Sequence, residues 1–126
     1  MKREELVEHA RHAAGNREVK VAAGESLFRE GDTGDQMYVV AEGKIRLSIN
    51  GELLDEETMG GVVGELALID KAPRSATATA SEDSVLIPLG MPEFTALVRR
   101  QPGFAIHIMK IQGERLRKSH EYLNWF

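Results

Sequence analysis

The 126-residue chain has room for one domain with a modest core and little for a second. With 16 Lys plus Arg against 20 Asp plus Glu, the formal net charge of -4 argues against a surface built mainly to hold nucleic acid, so any bound anion must be held locally. The absence of cysteine removes disulfides, thiolate metal sites and cysteine nucleophiles. No run approaches the about 18 apolar residues of a membrane span, and the charged stretch Met1 to Ala14 lacks the apolar core of a signal peptide, so a soluble cytoplasmic protein without membrane contact is expected.

Taken in order, Lys2 to Ala14 is rich in helix formers and places Leu6, Val7 and Ala10 on one face, while Gly15-Asn16 supplies a stop. His9 and His12 lie three apart on that helix, but with no third ligand in sight the expectation is exposed histidines and no metal. From Glu18 the pattern changes to short β-type runs. Val19-Lys20-Val21 and Ser26 to Arg29 flank a turn at Ala23-Gly24, and Gly31 to Asp35 is a second turn. Met37 to Ala41 reads as a buried strand, and Gly43 is expected to turn the chain into Lys44 to Ile49, whose alternation places Ile45, Leu47 and Ile49 on one face. Asn50-Gly51 is a strong hairpin signal, so Glu52 to Thr58 should return antiparallel. Many short strands at this spacing indicate an antiparallel barrel or sandwich.

Gly60-Gly61 allows close backbone approach and leads into Gly64-Glu65-Leu66-Ala67-Leu68-Ile69-Asp70-Lys71-Ala72-Pro73-Arg74-Ser75-Ala76, a short helical turn with an acid, an arginine and a hydroxyl close together. The unpaired N–H groups at such a helix start favour an anion, and Arg74 can add a planar, permanently charged fork. Glu65 at the same place would repel a phosphate, so it either accepts a hydrogen bond from a hydroxyl or pairs with a cation. A ligand with one phosphate and a sugar hydroxyl satisfies both residues. The competing readings are a surface ion pair of Arg74 with Glu65 or Asp70, and a solvated Glu65 stabilised by the helix dipole.

Ser75 to Ala80 and Ser84 to Leu89 read as two further strands, with small Ala76 and Ala78 leaving space beside them. Pro92 opens a helix over Glu93 to Arg99, and Pro102 opens a longer one to the chain end. On the latter, Phe104, Ile108 and Ile111 form one stripe that should pack on the barrel. Met109, Leu116 and Leu123 repeat every seven residues, with Ala105, Gln112, Ser119 and Phe126 completing a loose seam, and this suggests a homodimer through the C-terminal helix. A single amphipathic helix folded wholly onto the barrel is the alternative.

The ordered series Ala23-Gly24-Glu25-Ser26-Leu27-Phe28-Arg29-Glu30-Gly31-Asp32, Met37-Tyr38-Val39-Val40, Glu42-Gly43 and Gly64-Glu65-Leu66-Ala67-Leu68 through Arg74-Ser75-Ala76 resembles the cyclic nucleotide-binding domain family over nearly the whole chain. The resemblance implies a mainly β, α+β fold: an eight-stranded antiparallel β-roll, jelly-roll-like, with an N-terminal helix, a cassette helix and two C-terminal helices. A single domain over 1–126 is expected, with 1–15 as N-terminal helix, 18–89 as β-roll carrying the cassette at 64–76, and 91–126 as C-terminal helices. Carried over by position, Glu65 would accept the ribose 2′-hydroxyl and Arg74 would pair with the cyclic phosphate. The N–H groups of Gly64, Leu66 and Ala67 lie on one side, and the Ser75 hydroxyl and Ala76 N–H on the other. Gly64 would be needed because a side chain there would crowd the sugar. Ser119 and His120, following Arg115-Leu116, are the base-contact candidates, with Leu123 or Trp125 as stacking caps.

The implied function is a regulatory sensor module for a 3′,5′-cyclic nucleotide, with no enzyme activity and no cofactor. Cyclic AMP is favoured over cyclic GMP because relatives preferring the latter often carry Thr where this chain has Ser75. Val62-Val63 stands where the family commonly has an aromatic before the Gly-Glu pair, which keeps an apolar wall. The chain holds no helix-turn-helix, membrane helices or inhibitor segment, so a stand-alone sensor or a fragment is expected, binding no nucleic acid and acting on an unknown effector. The alternatives are a degenerate dimerisation or scaffold module, and a metal-dependent barrel enzyme. All four histidines, His9, His12, His107 and His120, fall in expected helices, which disfavours the enzyme.

Overall fold

Two long antiparallel strands, β3 (Met37–Ile49) and β6 (Thr77–Leu89), form the spine of the molecule. The computed structural model describes the backbone of residues 1–123 and the side chains of residues 1–118. Around the spine, β1 (Val19–Val21) and β2 (Ser26–Phe28) pair with β6, while β4 (Glu52–Glu57) and β5 (Val62–Val63) pair with β3, all antiparallel. Helix α1 (Arg3–Ala13) precedes the sheet, α2 (Glu65–Asp70) interrupts it, and α3 (Met91–Arg100) and α4 (Gly103–Leu123) follow it. This is the mainly β roll with flanking helices expected from the sequence.

The strands differ in how they are counted. Gly43 does not end a strand: it sits at φ 92 within β3, where the β3–β6 register shifts repeatedly between Val40 and Ile45. A Cβ there would fall against Ser84 Oγ and 2.6 Å from Asp83 O. The glycine thus allows a β-bulge that bends one continuous strand, where a turn was expected. The two runs expected after Pro73 are likewise one strand, β6. Six strand elements therefore do the work of eight shorter ones, each long strand bending to serve two parts of the roll.

Alternation along β3 sends residues to two cores. Val39 packs with Leu6, Ala10, Leu97, Phe104 and Ile108 under the helices, while its neighbour Val40 joins Ile45, Leu47, Ala78 and Leu86 inside the roll. The expected stripe Phe104, Ile108 and Ile111 is buried against the first core, as is the face Leu6, Val7 and Ala10 of α1. Ile49, at the end of β3 beside the Asn50-Gly51 turn, shares the cavity-facing side with Leu47 but is 37% exposed. Two anchors outside the apolar core help fix α4 and α1: His107 Nε2 donates to Gly60 O at 2.7 Å, and Arg3 Nη1 donates to Met59 O at 3.1 Å.

Phe104 is fully buried and meets Phe94 edge-on at 6.0 Å between ring centroids, tying α4 to α3 above the sheet. Phe104→Ala should therefore destabilise the fold by about 3–5 kcal/mol, measured by urea denaturation. A loss below about 1 kcal/mol would show that the helical layer is not part of the core.

Candidate functional site

The roll and α4 enclose a cavity of about 420 Å³. Its floor is apolar, from Leu47, Ile49 and Leu54 on β3 and β4; one wall is Gly64 to Ala67, a second is Arg74 to Ala76, and Gln112, Arg115 and Leu116 of α4 stand opposite. The structure thus brings Gly64, Glu65, Leu66, Ala67, Arg74, Ser75 and Ala76 to one cavity. The side chains of Ser119 and His120 lie outside the described residues, as do Trp125 and Phe126.

Local folding accounts for these positions. Gly64 is the left-handed N-cap of α2 at φ 79, and a Cβ there would lie 2.5 Å from Arg74 Nη1 and 3.2 Å from Phe28 Cε2. The backbone angle and the arginine already require glycine here, apart from any space a sugar would need. Arg74 is fixed through its backbone, its N–H donating to Asp32 O and its carbonyl accepting from Gly31 N–H, each at 2.8 Å. These bonds clamp it to the turn between β2 and β3.

The Arg74 side chain is only 6% exposed. Its guanidinium lies over the Phe28 ring at 4.2 Å from the centroid, with Tyr38 at 5.9 Å. Nη1 donates to Gln36 O at 2.8 Å and Gly64 O at 3.1 Å, while Nε is buried and has no partner. Among the described residues no carboxylate comes within ion-pair distance, so Arg74 forms neither the Glu65 nor the Asp70 surface pair. A buried, permanently charged group with an unmet donor carries a desolvation cost that its present partners do not fully offset.

Glu65 is 3% exposed and is not a solvated first-turn acid. Its two oxygens accept from Arg115 Nη1 at 2.8 and 3.2 Å. Arg115 also donates from Nη2 to Glu57 Oε2 at 2.9 Å and Val62 O at 2.7 Å, and from Nε to Asp55 Oδ2 at 3.1 Å. Lys118 adds a bond to Asp55 Oδ1 at 2.7 Å. One arginine thereby joins three carboxylates from β4 and α2, and so locks α4 to the cavity wall. In sequence, Arg115 stands out only as half of the Arg115-Leu116 pair that precedes Ser119 and His120. The available signal was on β4, where Asp55 and Glu57 are two apart and so share one strand face, which calls for a cation opposite.

Burial pushes the Glu65 carboxyl above its ordinary 4.5, against the pull of Arg115. Burial raises Glu57 too, with Arg115 opposing and Asp55 reinforcing the shift. Asp55 is also pushed up by burial, but the hydrogen bonds from Lys118 and Arg115 outweigh that and hold it below 3.8. Because the folded state binds protons on Glu57 and Glu65 more tightly than the unfolded chain does, their contribution to stability grows as pH falls through the window just above 4.5 and is lost as pH rises out of it. Asp55 has the opposite sign: its contribution is present above 3.8 and is lost as pH falls through its lower folded value. Glu57→Gln should therefore flatten the pH dependence of unfolding free energy just above pH 4.5, measured by denaturation at a series of pH values. An unchanged slope would show that Glu57 does not titrate as its burial requires.

Among the described residues, no group of three or more His, Cys, Asp or Glu side chains is arranged to hold a metal ion, and no helix is long and apolar enough to cross a membrane. Residues 18–101 match the cyclic nucleotide-binding domain. The chain is 37% identical over 101 residues to the cyclic AMP receptor protein of Thermus thermophilus, covering 76% of this chain and 47% of that protein. It is also 37% identical over 101 residues to a cGMP-dependent protein kinase of Toxoplasma gondii, covering 79% of this chain and 10% of the kinase. The crystal structure of Thermus thermophilus catabolite activator protein superposes with a TM-score of 0.74 at 32% identity, over 93% of this chain and 58% of that one. The chain thus spans less than half the length of the curated relatives it matches here. With the match running from β1 through Gly64 to Ala76 as far as α3, the chain belongs to the cyclic nucleotide-binding domain family.

Proposed function

We propose that the cavity takes a 3′,5′-cyclic nucleotide, cyclic AMP ahead of cyclic GMP, and that its occupancy is the input of a regulatory module. The observation that carries this reading is the buried Arg74 guanidinium with an unpartnered Nε and no carboxylate. One uncompensated positive charge matches the single negative charge of a cyclic phosphodiester, and the Ser75 hydroxyl stands on the same wall to add a hydrogen bond. Glu65 spends part of its accepting capacity on Arg115, and a carboxylate offers about four acceptor sites, so a ribose 2′-hydroxyl can still donate to it. The preference for cyclic AMP rests on Ser75 in place of threonine. The related proteins include one named for each nucleotide, so direct competition between the two is the deciding comparison. Ser119 and His120 are the proposed contacts to the base.

The response runs through α4. Arg115 couples Glu65 directly to that helix, and Leu116 both lines the cavity and is 57% exposed beside Met109, also 57% exposed. Gln112 of the anticipated seam lines the cavity as well, so the seam borders the ligand site. A second copy of the chain packing on the Met109 and Leu116 face would feel ligand through the same residues. A scaffold module that has lost its ligand is the competing reading, and the retained, unpaired Arg74 weighs against it.

Calorimetric titration of the folded protein should show saturable binding of cyclic AMP, with Arg74→Ala weakening it by roughly 10- to more than 100-fold, the worth of one charge-assisted hydrogen bond. No heat with either cyclic nucleotide at high micromolar concentration would overturn the reading. Sedimentation velocity should show concentration-dependent dimers that Met109→Glu abolishes, whereas a monomer at every concentration would remove the dimer from the account.

A further inference from the structure

The two arginines of the site are held in opposite ways. Arg115 faces three carboxylates, whereas Arg74 has none and is held instead by an aromatic face and two carbonyl groups. We infer that Phe28 is a positioning residue for ligand binding: its ring holds the Arg74 guanidinium in one orientation at the cavity wall and offers no acceptor that would compete with an anion. This rests on the reading of the cavity as a cyclic-nucleotide site.

Phe28 is well placed for the task. It ends β2, which is pinned to β6 by the Phe28–Ala78 pairing and by the Ser26 and Thr79 hydroxyls at 3.1 Å, so the ring is presented from fixed backbone. At 4.2 Å from the centroid the guanidinium lies well inside the about 6 Å range over which an aromatic face attracts a cation. Tyr38 stands 6.3 Å from Phe28, ring to ring, and completes an apolar backing. Two glycines leave the room that the stack needs. A Cβ at Gly34 would fall against Arg74 Nη2 and 2.5 Å from Cζ and Nε, and one at Gly64 would fall 2.5 Å from Nη1. Gly34 has no left-handed backbone angle to explain it, so occupied space is its requirement.

An aromatic face suits this role better than a carboxylate would. A carboxylate partner would satisfy the charge and compete with the phosphate, whereas the ring quadrupole offsets the burial of the cation and offers no hydrogen-bond acceptor to its edge. The guanidinium is therefore ordered before ligand arrives, and little rotamer entropy remains to be lost on binding. Without the ring, Arg74 gains freedom and can turn toward Glu65, whose charge already feels it.

The test uses the full chain and two substitutions: Phe28→Leu, which removes the ring, and replacement of Phe28 by its pentafluorinated isostere, which keeps the shape but reverses the ring quadrupole. In ligand-free protein the Arg74 Nε–H resonance should be distinct and restrained for the wild type and for Phe28→Tyr, and averaged or fast-exchanging for both test proteins. Affinity for cyclic AMP should fall roughly 3- to 30-fold in both and be retained in Phe28→Tyr, while binding of adenosine, which lacks the phosphate, should not change. If the fluorinated protein keeps wild-type affinity and an unchanged Arg74 resonance, Phe28 is packing alone and the inference is overturned. If adenosine binding falls in step with cyclic AMP, the ring serves the nucleoside and the inference is equally overturned. A wild type that binds no cyclic nucleotide, yet loses Arg74 order in both test proteins, would uphold the stacking and sink the ligand assignment instead.

Discussion

The site depends on a positive charge that the protein buries and does not neutralise. Removing a guanidinium from water without an opposite charge is costly, and folds normally avoid it. Here the charge is accommodated by the Phe28 face, two carbonyl oxygens on Nη1 and a backbone clamp at residues 31, 32 and 74. Each of these fixes the side chain without bringing an opposite charge to it. The remaining deficit is what an anion bound as proposed would relieve.

Arg115, which lines the same cavity, shows the contrasting arrangement. Its fork is saturated by Asp55, Glu57 and Glu65 together with Val62 O, and it acts as a fastener joining β4, α2 and α4. Glu65 belongs to both halves: it faces the cavity and it grips the helix. Any hydrogen bond that a ligand makes to Glu65 therefore alters the contact by which α4 is held. That gives a physical route from the cavity to the exposed Met109 and Leu116 face without moving the core beneath Phe104 and Ile108.

What the sequence disclosed was what is local. Gly64 to Ala76 carries its acid, arginine and hydroxyl in one contiguous stretch, and all three line the cavity. Asn50-Gly51 announced the β3–β4 hairpin through residues that tolerate the left-handed angles observed, φ 52 and 81. Helical spacing identified Phe104, Ile108 and Ile111 as the buried stripe of α4. What stayed hidden was what depends on distant partners. Gly43 looks like a turn in isolation, and only pairing with β6 makes it a bulge. The carboxylates of Arg115 lie 50 to 60 positions away in sequence, so no spacing rule connects them. The stacking of Phe28 on Arg74 is hidden for the same reason, since alternation marks Phe28 only as an apolar strand residue.

In the proposed function, the Arg74 guanidinium, which has no carboxylate of its own, selects a ligand carrying a single phosphate charge. Competition between cyclic AMP and 5′-AMP for the folded protein tests it most directly, because the two share base and sugar and differ in the ring closure and phosphate charge. Cyclic AMP should bind saturably and the dianionic 5′-AMP markedly more weakly, because its second charge adds to the repulsion from Glu65 and its neighbouring carboxylates. Equal affinity for the two, or tighter binding of 5′-AMP, would contradict it.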